Sequence, residues 1–183
     1  MFWFVRLVIA AVLITLLLLG LGYLLPAELR ATKTTLIDAK PERVYEIVTD
    51  VEGQRQWRSE VRALKVESNG DLKQWVEDHG GGLSVHVRET LKKPIESYAV
   101  EFEMPNGLRG TWNGTFEPSS EERTKLTLTQ TIVVENLLRR VVAYVVLNQD
   151  TLTDTYLGDL NRFAAKQDFG EVKHAPNIPI LPP

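Results

Sequence analysis

Three histidines, a glycine run and a few glutamates are the residues of this 183-residue chain whose types and spacing could do chemistry. His79-Gly80-Gly81-Gly82 has the spelling of an oxyanion hole, in which glycine amides stabilise a developing negative charge. No G-x-S-x-G nucleophile elbow accompanies it, and the same residues suit a tight hairpin between two strands. Glu101 and Glu103 stand two apart, so they share a strand face and could pair as general acid and base. Their face is the one opposite Tyr98, Phe102 and Met104, which makes it the solvated one. Glu89 is the better candidate, because it shares the phase of Leu83, Val85 and Val87 and so points inward. His79, His86 and His174 lack metal-ligand spacing and have no cysteine support, so no metal and no cofactor are expected. Asn113-Gly114-Thr115 spells a glycosylation sequon inside a strand.

Aromatic residues are the other chemical resource. Trp57, Trp75, Tyr98, Phe102, Trp112, Phe116, Tyr156 and Phe163, with Leu128, are candidates to line an apolar cavity, the competing role being ordinary core packing. Gly114, between Trp112 and Phe116, marks either a bend in its strand or a place where a ligand approaches the backbone.

Composition bounds what such residues can serve. With 44% hydrophobic and 25% charged residues the chain is globular, and its lack of cysteine removes disulfides, thiolate metal sites and cysteine nucleophiles. Lys+Arg 21 against Asp+Glu 24 leaves a net charge of −3, so the basic footprint of a nucleic-acid binder is missing and a neutral or apolar partner is expected.

Residues 1–25 carry one charge, Arg6. From Leu7 to Leu25 run 19 uncharged residues, which as a helix of ~1.5 Å rise per residue would span about 28 Å, the hydrocarbon thickness of a bilayer. The apolar run is longer than a signal-peptide core, and Pro26-Ala27-Glu28-Leu29 follows it instead of a small-x-small cleavage site. The expectation is an uncleaved single-pass anchor contacting the lipid bilayer through residues 1–25. Flanking charge is divided: Arg30, Lys33, Lys40 and Arg43 favour a cytoplasmic domain, whereas a short basic N-terminus before one long span is how an exported domain begins.

Past a linker at 26–31, a soluble domain is expected over 32–168 and a proline-rich extended tail over 169–183, with Pro176, Pro179, Pro182 and Pro183. Pro41 opens a helix in which Val44, Ile47 and Val48 share a face. A short polar helix or loop leads to Trp57, after which the period changes to two. Turn residues at 68–71, 80–82, 93–94, 105–107 and 118–120 divide the strands. With a first strand at 32–39, the others fall at 60–68, 71–79, 83–92, 95–104, 108–117 and 122–134. A long helical stretch, 136–166, then presents Leu137, Val141, Tyr144 or Val145, Leu152, Tyr156, Leu160 and Phe163 near one stripe, with a polar break at 148–154. Arg139 and Arg140 beside Leu137, Leu138, Val141 and Val142 form either a basic-apolar surface for lipid headgroups or a half-buried helix with solvated arginines. Strand, two short helices, six strands and a terminal helix is an α+β order.

The run Ile37-Asp38-Ala39-Lys40-Pro41-Glu42-Arg43-Val44-Tyr45, then Val48-Thr49-Asp50 with Trp57 and Val61, resembles the opening of the SRPBCC superfamily. That group includes START lipid-transfer domains, birch-pollen-allergen-like proteins and polyketide cyclases/dehydrases. Gly110-Thr111-Trp112, Phe116-Glu117-Pro118 and Thr124-Lys125-Leu126-Thr127-Leu128-Thr129 are similar to its sixth and seventh strands. The resemblance covers about 32–166 and implies a helix-grip fold, a curved antiparallel sheet around a long C-terminal helix with an apolar cavity between them. With the anchor in front, the expected function is binding or carrying a hydrophobic small molecule or lipid, without catalysis. The alternatives are a cyclase/dehydratase acting on a hydrophobic carbonyl compound, for which an inward ionisable pair is needed, and a non-catalytic interaction module at the membrane.

Overall fold

The computed structural model describes residues 2–68, 70–105, 107–146 and 149–171. Helix α1 (Phe2–Leu24) runs almost directly into β1 (Glu28–Ile37). Next come α2 (Pro41–Thr49), a 3-10 turn (Glu52–Gln56), β2 (Ala63–Ser68), β3 (Gln74–Asp78) and β4 (Ser84–Lys93). The chain continues through β5 (Ser97–Glu103), β6 (Arg109–Ser120), β7 (Arg123–Val133), α3 (Leu137–Val146) and α4 (Gln149–Glu171). The linker expected over 26–31 shrinks to the joint before Glu28. Glu28-Leu29-Arg30-Ala31 already alternates, and these four residues pair with Val133 to Gln130. At the other end α4 reaches Glu171, past the expected domain limit at 168, because no proline interrupts it before Pro176. Residues 172–183, with His174 and the four tail prolines, lie outside the described residues, as do Asn69, Asn106, Leu147 and Asn148.

All seven strands form one antiparallel sheet in the order β1-β7-β6-β5-β4-β3-β2, so that β1 joins the last strand and the remainder is a meander. Register shifts at Val66/Ser68, Glu89/Leu91 and Pro118/Ser120 are the bulges that let such a sheet curl. The apolar phase of each strand faces inward, where α2 buries Val44, Tyr45, Ile47 and Val48 and α4 buries Leu157, Leu160 and Ala164. Pro41 starts α2 at a position whose N–H has no helical partner to lose, and Lys40 before it is extended, as a pre-proline residue must be.

The terminal helical stretch differs from one continuous sheet-packing stripe. α4 packs on β1, β7 and α2, but α3 packs against α1. Tyr144, Val145 and Leu152, expected in the stripe, are exposed. The close approach of α3 to α1 requires Gly22: a Cβ there would lie 2.2 Å from the Leu137 carbonyl oxygen. Arg140 then locks the joint. Its guanidinium donates to the Gly22 and Leu25 carbonyls at 3.0 and 3.2 Å, and to Val134 and Glu135 carbonyls on its own side. Those α1 carbonyls belong to a helix end that has no partner of its own, and a cation there also meets the negative end of the helix dipole.

Candidate functional site

Register places the inward residues in rows across the sheet. Trp75, Val87, Phe102, Gly110 and Ile132 form one row, and Glu89, Val100, Trp112 and Gln130 the next. Tyr98, Gly114 and Leu128 form a third. The two glycines make room for rings: a Cβ on Gly110 would meet the Phe102 ring at 2.4 Å, and one on Gly114 the Trp112 ring at 2.7 Å. The space at Gly114 therefore holds an indole of the same strand.

All nine expected cavity residues belong to this inner layer, in two groups. Trp57, Trp75, Tyr98, Phe116 and Leu128 are buried core, whereas Phe102, Trp112, Tyr156 and Phe163 are part-exposed and pack against it. Tyr156, from α4, is the keystone: its ring meets Trp57 edge-on at 5.1 Å and Trp112 at 5.3 Å. Trp112 in turn meets Tyr98 at 6.1 Å, and Trp57 lies 6.5 Å from Phe163. Phe116 stands apart, paired with Tyr45 at 5.4 Å. Among the described residues, four buried polar side-chain atoms have no hydrogen-bond partner: the indole nitrogens of Trp57 and Trp112, the Tyr45 hydroxyl and Glu60 Oε2.

Two buried polar clusters border the rings. Glu89, 1% exposed, accepts from the Tyr98 hydroxyl at 2.9 Å and from the Lys73 amide at 2.8 Å. Burial, with the Glu89 charge beside it, pushes the Tyr98 phenol well above its usual range. Glu89 was legible in the alternation of β4. The second cluster was not singled out from sequence. Glu77 accepts from Arg58 at 2.7 Å and from the Trp75 indole at 2.9 Å on one oxygen, with His79 Nε2 at 2.9 Å from the other. Arg58 also bonds Gln54 and Glu60, and its guanidinium lies 5.6 Å from the Tyr156 ring centre. Burial opposes the Glu77 charge, but Arg58, His79 and Trp75 more than offset it and hold the carboxyl at about 2. Glu77 sits two residues from Trp75 in the inward phase, a signal the sequence did carry; Arg58 comes from an irregular segment with no period.

The remaining chemical suspects are spoken for. Gly80, Gly81 and Gly82 all have φ between +63° and +79°, making the His79–Leu83 segment a tight hairpin, and the Gly80 amide donates to Asp78. His86 is exposed, and Glu101 pairs with Arg88 on the outer face. Among the described residues no group of three or more His, Cys, Asp or Glu side chains could hold a metal ion. Two open spaces border the sheet. One, of about 540 Å³, is lined by His86, Arg88, Glu101 and Arg109 and also by Trp75 and Phe102 of the aromatic layer. The other, of about 470 Å³, lies at the β1 edge between Lys33, Thr35, Asp154 and Asn161.

A family model described as polyketide cyclase / dehydrase and lipid transport matches residues 28–166, the whole helix-grip unit from the first residue of β1 into α4. The chain belongs to this family. No curated protein matches it. Among solved structures, this polyketide cyclase/dehydrase-family domain is similar to the Zhui aromatase/cyclase from a Streptomyces species, at 17% identity over 82% of this chain and 99% of that one, with a TM-score of 0.61. Norcoclaurine synthase from Thalictrum flavum is similar at 8% identity, over 76% of this chain and 87% of that one, with a TM-score of 0.60. At such identities the likeness is one of fold. α1 lies before the family segment and is long and apolar enough to cross a membrane, as some signal sequences are.

Proposed function

We propose that the chain is a membrane-anchored domain that binds and carries a hydrophobic small molecule or lipid in the layer between sheet and α4. The observation that carries this reading is the pair of buried, unpartnered indole N–H groups, Trp57 and Trp112, set beside the part-exposed rings of Phe102, Tyr156 and Phe163. A donor out of water without an acceptor costs about 1–3 kcal/mol, which a ligand carbonyl or headgroup oxygen would recover. The rings supply apolar contact, and those two donors supply orientation, the usual division of labour in small-molecule sites. An anchor one joint away from β1 would hold the site at high effective concentration beside its lipid source.

The test uses the full chain in nanodiscs with a diazirine-bearing fatty acid, photolysed and mapped by mass spectrometry. Labelling at Phe102, Trp112, Tyr156 or Phe163, reduced several-fold by Trp112→Ala, is expected. Labelling confined to α1 would overturn the proposal.

A second reading, cyclase/dehydratase chemistry, is favoured by the Glu89–Tyr98 pair, a carboxylate and a neutral phenol facing inward at 2.9 Å. Such a pair could remove a proton α to a carbonyl and donate a hydrogen bond to its oxygen. Incubation with a poly-β-ketone thioester mimic would show an aromatised, dehydrated product that Glu89→Gln abolishes; unchanged substrate would remove this reading.

A further inference from the structure

Helix α3 carries an apolar stripe that the domain does not cover. Val142, Val145 and Val146 follow Leu138 at four, seven and eight residues, and the four are 42% (Leu138), 61% (Val142), 80% (Val145) and 69% (Val146) exposed. The helix contains no acidic residue, and its charges are the adjacent Arg139 and Arg140. A different side of the helix is occupied, where Ala143 packs with Leu108, Ile132 and Val134, and Tyr144 is exposed as well. A stripe of this kind turned to water is unusual for a soluble surface.

What covers it follows from where α3 is held. Its first residue, Leu137, lies against Gly22, and Arg140 bonds the last carbonyls of α1. Gly22 is two residues from the end of α1, only about 3 Å along the axis. The apolar surface of α1, with Leu18, Leu21 and Leu24 exposed, borders α3 at this level. We propose that α3 is seated in the lipid interface of the leaflet at which α1 ends, with Leu138, Val142, Val145 and Val146 against acyl chains and Arg139 at headgroup level. The inference rests on the reading of α1 as a membrane span. It differs from simple tethering, because a second lipid contact beside the span fixes the tilt of the domain. Phe102 and Met104 pack against both the buried apolar cluster behind α3 and the main core, so the seated helix and the aromatic layer share one continuous core.

The chain has no cysteine, so single-cysteine variants can be labelled cleanly. Val145→Cys reports on α3, Ile14→Cys on α1 and Glu121→Cys on the β6–β7 turn, at the far end of β7 from α3. All three positions are exposed. Each variant of the full chain, carrying a nitrobenzoxadiazole dye, is reconstituted in phosphatidylcholine/phosphatidylglycerol vesicles containing lipid spin-labelled near the head of the acyl chain. The Val145 dye is expected to be blue-shifted and quenched several-fold more than the Glu121 dye. Equal quenching of those two with Ile14 strongly quenched would overturn the seating of α3 and leave the anchor intact. An unquenched Ile14 dye would overturn the anchor and the seating together.

Discussion

Two buried polar regions lie on the inner face of one sheet and are built on opposite terms. At β3, both oxygens of Glu77 are engaged, by Arg58 and Trp75 on one side and His79 on the other. The indole N–H of Trp112, on β6, has nothing to donate to among the described residues, and neither has that of Trp57, just after the 3-10 turn. The same residue type, tryptophan, thus appears once as a satisfied member of a network and twice as an open donor. A buried donor that has its acceptor rigidifies the fold; one that lacks it invites an outside acceptor. The two sets adjoin, since Trp57 precedes Arg58 in the chain and both meet the Tyr156 ring, so the contrast lies in which indoles have acceptors.

The sharpest way to break the contrast is at Glu77, whose two oxygens are both engaged. Glu77→Ala leaves Arg58 largely buried without its main counter-charge and is expected to cost about 3–5 kcal/mol, read from urea unfolding of the full chain in detergent by tryptophan fluorescence. A loss below about 1 kcal/mol would make the cluster an ordinary surface pair. Acid should show the same dependence without mutation. The Glu77 carboxyl titrates near 2 in the folded protein against 4.5 unfolded, so its contribution is complete above pH 4.5 and lost as pH falls toward 2. Stability profiles of the wild type and Glu77→Gln should therefore converge across that window and run parallel above it.

The tryptophans sharpen the comparison at smaller cost. Trp75→Phe removes a hydrogen bond to a charged carboxylate and is expected to destabilise by about 1.5–3 kcal/mol in the same assay. Trp112→Phe removes a donor that has no partner, so the ligand-free protein should be unchanged or gain up to about 1 kcal/mol. Equal losses for the two substitutions would erase the distinction between the regions.

Much of the architecture could be read along the chain. Pro41 announced α2, the change to period two after Trp57 announced the meander, and phase alone turned Glu89 inward and Glu101 outward. The strand boundaries shifted by a few residues, most at β1, where the alternation in Glu28-Leu29-Arg30-Ala31 is short enough to pass for a linker. The site was less legible. Arg58 sits in an irregular turn, where no period says which way a side chain points, and its role exists only because Glu77 and Tyr156 converge on it from β3 and α4. Likewise nothing local distinguishes α3, which docks on α1, from a helix that continues onto the sheet.

The sequence by itself determined the apolar N-terminal helix, the α+β order and the inward phase of each strand, because periodicity and turn chemistry act within a few residues. Tertiary structure alone decided that the Trp57, Trp112 and Tyr156 rings meet, that two indoles stay unpartnered, and that Arg140 fastens α3 to the end of α1. Those outcomes depend on register, bulges and helix docking between residues far apart in the chain, distances that no local pattern encodes.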